Sequence, residues 1–485
     1  MTLRTLLFAA TSALTLSACA TVPASLPPPT NAAVPSGPFV SATPGAVTPT
    51  ALPPDWWRLY NDPVLDGLID EANVQNTDVR QAVARIERAR ASLRGARADR
   101  TPQAQLSTSA GYGRTPPGQA AAGFDRDGAL FSIGADITYE LDLFGRISEN
   151  VAAARGDLAA AQADADAVRV MVIGDTTQAY AAAASAAARL ETARSIVALL
   201  DETVRLTRKR HDAGLADGLA VARIETLREQ RASAIPAIEA QRSAALFALA
   251  TLTGRAPSQL PVIAGERSVP LEIAAPIPVG DGSQLLARRP DVRAAEQRFM
   301  ASSARIGVAR ADLYPRITLG GSATSTAQSI SDLFSGGPLS FLLGPLINWA
   351  FPNREPIRAR IDAANADASG ALAAFDGTVL TALQETETAL SAYARSLEQR
   401  RALAAAQAAA MRAVKITRAQ NREGVVDSLQ TLDAERTLAE ARAALADQDA
   451  AVSAQQIAVF RALGGGWSVT AMVATRLAPL ARVGP

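Results

Sequence analysis

The sequence is poor in the residues that most catalytic and metal-binding sites need. Its 485 residues include one cysteine and one histidine, so an intramolecular disulfide is impossible and soft metal ligands are scarce. The histidine, His211, lies in a basic run and has no accompanying serine/aspartate set, phosphate loop or metal-ligand cluster. We therefore predict that the protein is not an enzyme and holds neither a metal nor a cofactor.

The sequence also has no marked excess of one charge and few aromatic residues. The chain has 48 basic and 47 acidic residues, which argues against the basic face that a nucleic-acid partner would need. Aromatic residues make up 5% of the chain, whereas 48% is hydrophobic, much of it alanine. This composition favours long helices that pack closely through small side chains.

Outside the N-terminus the sequence has no apolar run long enough for a transmembrane helix. At the N-terminus, an apolar segment leads into Leu16-Ser17-Ala18-Cys19, which resembles the bacterial lipobox. We predict that residues 1–18 are a lipoprotein signal peptide and that Cys19 carries the covalent lipid. Residue 20 is alanine rather than aspartate. In the sorting pattern of bacterial lipoproteins, this favours the outer membrane over retention in the inner membrane. Because residues 20–54 contain ten prolines, we predict an extended lipid-anchored tether over 19–54.

The second half of the chain repeats the first after a shift of 213 residues, which becomes 210 where Gly214-Leu215-Ala216-Asp217 recurs as Gly424-Val425-Val426-Asp427. Asp78-Val79-Arg80 recurs as Asp291-Val292-Arg293, and Ala98-Asp99 recurs as Ala311-Asp312 at the same offset. So long a period indicates two copies of one half-molecule, because solenoid repeats are far shorter. We assign the first copy to 55–254, a proline- and glycine-rich linker to 255–283, the second copy to 284–466 and a C-terminal tail to 467–485.

Both copies contain the same predicted elements. Very long helices are predicted over about 146–211 and 354–421, and each reverses at a glycine turn, Gly214 or Gly424, into a helix of about 38 residues. In the last helix, Leu438, Leu445, Val452 and Val459 recur every seventh residue, which predicts a coiled-coil seam. Alternating small and apolar residues predict two strands in each copy, at about 103–113, 130–141, 316–326 and 338–349.

These strands have the length of membrane-spanning strands, about 9–11 residues. Four strands cannot close a barrel, and open sheet edges do not survive in lipid. Either the strands stay in water or several chains pool them; two, three or four chains are all possible by arithmetic alone.

Several stretches, in order along the whole mature chain, resemble one family. They are Trp57 with Asp62-Pro63-Val64-Leu65, the run Tyr139-Glu140-Leu141-Asp142-Leu143-Phe144-Gly145-Arg146, the arginine-rich 85–100 stretch, Gly214-Leu215 and Leu463-Gly464-Gly465-Gly466-Trp467. The chain resembles the outer-membrane efflux proteins of the TolC type, most closely their lipid-anchored OprM/NodT branch. The octapeptide that ends at Arg146 is the most specific of these motifs.

The resemblance implies a mainly α protein with transmembrane β-strands. It implies a homotrimer whose twelve pooled strands form a barrel in the outer membrane, continued by a long α-helical coiled-coil tunnel into the periplasm. It further implies an inner-membrane transporter and a periplasmic adaptor protein as partners. The expected function is an outer-membrane channel that passively conducts drugs or other small molecules delivered by the pump.

In this family the helix turns form the periplasmic entrance, so the resemblance directs attention to them. Asp427 and Asp433 flank the second turn, and three copies would place acidic rings in the pore. Asp217 is the equivalent at the first turn, although Asp217 and Asp427 could instead cap the helices that follow. The turn residues Gly214, Leu215, Gly424 and Val425 are the candidate adaptor-docking positions. The family often has aspartate six residues after the first turn glycine, but this chain has Ala220.

Two rival functions use similar architecture. One is the exit duct of a type I protein secretion system, against which the predicted lipidation argues. The other is a non-conducting periplasmic coiled-coil scaffold, which has no need for four strands of membrane-spanning length.

Overall fold

The structure, a computed structural model, describes residues 37–114, 116, 126–215, 217–335, 339–426 and 428–466. The chain divides into two compact units, each built from several segments. Of the described residues, the first contains those within 85–162 and 294–376, and the second contains those within 37–84, 163–293 and 377–466. Four helices contribute segments to both units. The predicted signal peptide, Cys19 and the tail 467–485 lie outside the described residues.

The first unit is built around a four-stranded antiparallel sheet. The strands are β2 (Gln103–Arg114), β3 (Asp127–Glu140), β5 (Arg316–Ala327) and β6 (Leu339–Asn348). Their bounds differ by only a few residues from the predicted strands, because alternation of side chains is a local signal. The order in the sheet is β2-β3-β5-β6, so the hairpin of the first copy lies directly beside the hairpin of the second, joined through β3 and β5.

The pairing register gives this sheet one apolar and one polar face. On β6 the odd-numbered residues pair with odd-numbered residues of β5, for example Phe341 with Ala323 and Ile347 with Ile317. Successive residues point to opposite faces, so one face collects most of the large apolar side chains. The other face collects small and polar ones together with Leu130, Leu342 and Leu346. Phe341, Leu343 and Ile347 are largely exposed to solvent in the single chain. Within the described residues, β2 and β6 each pair along one edge only.

Helices dominate the rest of the described chain, which agrees with the predicted fold class. No described helix combines the length and the apolarity that crossing a bilayer requires. The short strands β1 (Val47–Thr48) and β4 (Ile277–Pro278) pair in parallel. The helices are α1 (Pro63–Gln75), α2 (Thr77–Ala98), α3 (Arg146–Asp212), α4 (Gly218–Ala232), α5 (Ile235–Leu252), α6 (Gly282–Arg288), α7 (Pro290–Ala311), α8 (Glu355–Arg422) and α9 (Ser428–Ala462).

The second unit contains two helical hairpins, which we call the first hairpin (α3 with α4 and α5) and the second hairpin (α8 with α9). The returning segment of the first hairpin differs from the prediction, because it is two helices rather than one of about 38 residues. Pro236 occupies the first turn of α5, where proline is tolerated; within a continuous helix it would remove a hydrogen bond and clash with the preceding turn. The second hairpin has Ala446 at the equivalent position, and α9 runs without a break.

The predicted tether is also partly different in the structure. Residues 37–54 are packed rather than free, with the Phe39 and Leu52 side chains buried in the main apolar core of the second unit. Glu387 of α8 accepts hydrogen bonds from the backbone N–H groups of Val40 and Ser41, at 2.8 and 2.7 Å. The proline content correctly excluded a helix, but it could not reveal that an extended segment would find apolar and carboxylate partners on distant helices.

The interval 255–283, predicted as a linker, also contributes to that core. Leu271, Ile273 and Ile277 are buried against α1, α3 and α9 residues, and Gln456 of α9 holds both backbone groups of Ile273. The segment therefore connects the two copies and at the same time packs between their elements.

Candidate functional site

Both hairpins of the second unit turn in the same way. Gly214 and Gly424 have positive φ angles of 72° and 76°, a conformation that glycine adopts without a side-chain clash. At the first turn, Leu215 N donates to Arg210 O at 2.7 Å and Gly214 N donates to His211 O at 2.8 Å. Val425 and Gly424 make the equivalent bonds to Gln420 and Asn421 at the second turn. Each long helix therefore ends in a Schellman motif that satisfies its last carbonyls.

Each turn also presents one bare apolar side chain. Leu215 and Val425, which occupy equivalent positions in the two copies, are each 70% exposed. Nothing in the local capping geometry requires an apolar residue to be so exposed. The two candidate docking residues therefore form matching apolar tips on the two hairpins.

The acidic residues chosen from the sequence have different positions. The Asp217 side chain accepts a hydrogen bond from Ala220 N at 2.8 Å and caps α4, which is the capping alternative that the sequence left open. Asp433 is exposed on the first turns of α9, where Arg436 lies 3.4 Å from it. Asp427 lies outside the described residues. The structure does not bring Asp217 and Asp433 into contact with each other within the chain.

Behind each turn, one ion pair joins the two helices of the hairpin, and the two ion pairs are equivalent in the two copies. Arg208 Nε donates to Glu225 at 2.8 Å in the first hairpin, and Arg418 Nε donates to Glu435 at 2.9 Å in the second. Arg418 and Glu435 occupy the same places in the second copy that Arg208 and Glu225 occupy in the first. Their environments differ, because the Glu225 side chain is 37% exposed and the Glu435 side chain is 3% exposed.

Glu435 also links the two hairpins. Its second carboxylate oxygen accepts a hydrogen bond from the Thr203 hydroxyl of α3 at 3.1 Å. Nearer the turns, Arg210 of α3 donates to the Asn421 side-chain oxygen of α8 at 2.7 Å, and the Asn421 amide donates to Val426 O at 3.0 Å. The two hairpins are therefore held together by polar groups from both copies.

Apolar packing positions these polar groups. Ile196, Leu200 and Val204 of α3 pack with Ile224 and Leu227 of α4, and Ala439 of α9 completes the cluster. Because Ala439 lies one helical turn beyond Glu435, this packing carries the Glu435 carboxylate inward between the hairpins. Leu438, the residue before Ala439, faces α8 instead and packs against Ala410 and Val414.

Around these contacts lies an open cavity of about 660 Å³. Its apolar walls include Leu206, Ile224 and Leu432, and its polar walls include Arg210, Arg418 and Glu435. Elsewhere in the first hairpin, hydrogen bonds to Asp201 and Glu229 raise the pKa of Arg228 above its ordinary value.

The arrangement is suited to a separable contact between helices rather than to bond chemistry. Within the described residues, no group of three or more histidine, cysteine, aspartate or glutamate side chains could hold a metal ion. His211 is exposed beside the first turn. What the site offers is a set of hydrogen bonds and ion pairs whose rupture would let the two hairpins move apart.

Thr203, Arg418 and Glu435, which form the contact between the hairpins, were not among the residues predicted from the sequence. A signal for the ion pairs was present, because the spacing from arginine to glutamate is 17 residues in both copies, at Arg208/Glu225 and Arg418/Glu435. That repeated spacing could have identified both pairs. It could not have identified which pair is buried or that Thr203 joins it.

Comparison with known proteins finds a family match in both copies. The family described as "Outer membrane efflux protein" matches residues 68–255 and 282–465. The chain is 32% identical over 458 residues to outer membrane protein OprJ of Pseudomonas aeruginosa, with 94% of each chain covered. It is 29% identical over 473 residues to the antibiotic efflux pump outer membrane protein ArpC of Pseudomonas putida, with 96% of each covered. It is also 31% identical over 422 residues to the Pseudomonas putida solvent efflux pump outer membrane protein SrpC, covering 85% of this chain and 87% of the relative.

Solved structures show the same architecture. The structure of the outer-membrane channel OprN matches with a TM-score of 0.83 and 33% identity, covering 92% of this chain and all of that one. The outer membrane protein VceC of Vibrio cholerae matches with a TM-score of 0.78 and 26% identity, covering 86% of this chain and 100% of that one.

Proposed function

The chain belongs to the outer membrane efflux protein family, which confirms the resemblance inferred from its motifs, and from this membership we propose how its parts form and control a conduit. The protein is the outer-membrane channel component of an efflux system, and the members of its family are channels rather than enzymes. The predictions of function and of outer-membrane localisation are confirmed.

Three copies of the chain assemble into the conduit. Each contributes its four strands to one twelve-stranded closed sheet, and its two hairpins to a helical tunnel. The free edges of β2 and β6 support this assembly, because an unpaired strand edge in lipid leaves backbone groups without partners. The apolar face would contact lipid and the polar face would line the pore. The same sheet argues against the non-conducting scaffold.

The compounds conducted are drugs and solvent-like small molecules that an inner-membrane pump delivers through a periplasmic adaptor. The names of two relatives, which refer to antibiotic and solvent efflux, support this class of substrate. The channel itself supplies a passive path. The covalent lipid on Cys19 would hold the N-terminus at the outer membrane.

Opening of the entrance consists of separating the two hairpins. The observation that carries this proposal is Glu435, which is buried and is bonded both to Arg418 of its own hairpin and to Thr203 of the other. Asp427 and Asp433 of three copies would add acidic rings that favour cations at the entrance. Asp217, which caps α4, would contribute to the gate only through its charge.

Single-channel recording tests the acidic rings. We expect Asp427→Ala combined with Asp433→Ala to change the conductance and cation preference of the purified protein in a planar bilayer. Asp217→Ser, in which serine keeps the cap and removes the charge at the first turn, measures the contribution of that charge separately from the rings. Unchanged conductance and selectivity in the double variant would rule out the rings, and a wild-type protein that does not conduct would overturn the proposed conduit.

The adaptor docks on the apolar tips. Leu215 and Val425, together with the glycines Gly214 and Gly424 that shape the turns, would enter apolar sites on the adaptor. We expect Leu215→Ser with Val425→Ser to weaken co-purification with the adaptor and to leave bilayer conductance unchanged. Leu219→Ser is the matched control, because Leu219 is also exposed but lies on the first turn of α4. Undiminished co-purification would show that docking occurs elsewhere.

A further inference from the structure

The two copies leave the sheet by loops of similar length, five residues in the first copy and six in the second, but of different chemistry. In the first copy, Glu140 ends β3 and Arg146 begins α3 six residues later. In the second copy, Asn348 ends β6 and Arg354, again six residues later, immediately precedes α8. The arginine is therefore present in both copies, whereas its carboxylate partner is present only in the first.

In the first copy this arginine forms an ion pair with the last residue of the preceding strand. The Arg146 guanidinium makes two parallel hydrogen bonds of 2.7 Å each to the carboxylate of Glu140. The Asp142 carboxylate accepts from the backbone N–H groups of Ile147 and Ser148 and caps the start of α3. The octapeptide that identified the family is thus a corner that turns a strand into a long helix, and its charges are satisfied within it.

In the second copy the arginine lies over aromatic rings. The guanidinium carbon of Arg354 is 5.2 Å from the centre of the Trp349 ring and 6.0 Å from that of Phe351. The two rings stack at 5.2 Å. Arg354 makes no ion pair with any described carboxylate, and its Nε atom, which is buried beside the rings, has no hydrogen-bond partner among the described residues. Aromatic rings attract a cation but carry no net charge, so they do not neutralise the guanidinium of Arg354.

The position of this cluster along the chain determines which part of the sheet it adjoins. Trp349 and Phe351 follow directly after Asn348, the last paired residue of β6, and their stacked rings are exposed, as are Phe341, Leu343 and Ile347 of the strand. From Leu339 to Ile347 the strand advances roughly 20–27 Å, depending on its tilt, which matches the apolar band of about 25 Å on membrane strands. The aromatic rings and the arginine therefore follow directly at the helix end of that band. Aromatic residues prefer this depth, where lipid headgroups begin.

We propose that Trp349, Phe351 and Arg354 form a phospholipid headgroup site on the periplasmic leaflet of the outer membrane. The free guanidinium N–H groups donate to the phosphate oxygens, while the two rings contact the adjoining glycerol and upper acyl chain. The Trp349 indole N–H already donates to Leu313 O at 3.1 Å, so the ring is held in place while 44% of the residue stays exposed. An anionic lipid is preferred over a zwitterionic one, because in the described part of the chain no carboxylate forms an ion pair with Arg354.

Fluorescence quenching tests this site in the full-length protein reconstituted into mixed phosphatidylcholine–phosphatidylglycerol vesicles. One vesicle set has brominated acyl chains on the phosphatidylglycerol only, and the other has them on the phosphatidylcholine only. The Trp349→Phe variant supplies the background from the other tryptophans. We expect the Trp349 signal to report an enrichment of phosphatidylglycerol of about fivefold over its bulk fraction, the effect of one basic group near an anionic lipid surface.

Three variants assign the preference to the free guanidinium. Arg354→Gln should abolish the enrichment, and Asn348→Glu should abolish it as well by restoring the first-copy ion pair. Arg358→Gln, one turn along α8, should leave it unchanged. Bilayer conductance of each variant serves as the folding control and also separates this site from the conduit. The proposal is overturned if wild-type Trp349 is quenched by neither lipid, as a neighbouring copy covering it would cause, or by both lipids in proportion to their bulk fractions.

Discussion

The second hairpin buries an ion pair that the first hairpin leaves near the surface, although the two pairs occupy equivalent positions. Arg208 and Glu225 lie at the rim, where an ion pair contributes about 0–1 kcal/mol. Glu435 is enclosed by both hairpins and bonds to Thr203 as well as to Arg418. The duplication therefore gave both hairpins the same arginine–glutamate ion pair. The packing around Glu435 determines that the second pair, and not the first, also forms the contact between the hairpins.

The largest effect is expected from a proline in the returning segment of the second hairpin, which is one helix (α9) where the first hairpin has two (α4 and α5). Ala446→Pro places a proline in α9 at the position that Pro236 occupies in the first hairpin. It should destabilise the protein by about 3 kcal/mol or more, because α9 is continuous there and loses a backbone hydrogen bond. Thermal unfolding followed by far-ultraviolet circular dichroism measures this. An unchanged melting temperature would mean that α9 tolerates the same break as the first hairpin.

The next prediction compares the two ion pairs directly. Glu435→Gln should lower the stability by about 1–3 kcal/mol and increase the time the channel spends open, because the contact to Arg418 is weakened at a buried position. Since Arg418 is partly exposed, the lower part of this range is expected. Glu225→Gln is the matched control and should change neither quantity measurably. Equal effects of both variants on single-channel recordings would contradict the assignment of the second pair as the gate contact.

A smaller effect is expected at the first turn. Asp217→Ala should destabilise α4 by about 1 kcal/mol through loss of its cap, whereas Asp217→Ser should restore most of that stability. Hydrogen exchange of the α4 amides measures the local change. Failure of serine to restore protection would show that the charge of Asp217, and not its capping bond, is what matters.

The smallest effect is expected from the reverse exchange, Pro236→Ala. The change in stability should stay within about 1 kcal/mol, because the loss of proline's restraint on the unfolded chain opposes the gain in helix propensity. Ile238 packs against Ala186 and Leu190 of α3 and should keep α5 in its present direction. A large gain in melting temperature would indicate that the break itself strains the first hairpin.

Much of the local structure could be predicted because its signals are local. Alternating residues located all four membrane-length strands, and the glycines at 214 and 424 located the turns, where positive φ angles are observed. The positions of Leu215 and Val425 at the tips followed from the same turns. Proline content, in contrast, was a poor guide to packing, since residues 37–54 are extended and yet partly buried.

The contact between the hairpins could not be predicted in the same way. Thr203 and Glu435 lie far apart in the sequence, one in each copy, and neither belongs to a recognisable motif. Arg354 is a similar case. It lies six residues after the end of its strand, as Arg146 does, but it contacts aromatic rings where Arg146 contacts a carboxylate. In both cases the role of a residue depends on which neighbours the fold supplies.

The order of amino acids was sufficient to establish the duplication, the bounds of the long helices and strands, and the family, because periodicity, turn glycines and motifs are properties of short stretches of chain. The adjacency of β3 and β5, the burial of Glu435 and the free state of the Arg354 guanidinium required the folded structure. Each depends on a contact between segments far apart in the sequence, and the strength of a polar group's interactions depends on how far that contact removes it from water.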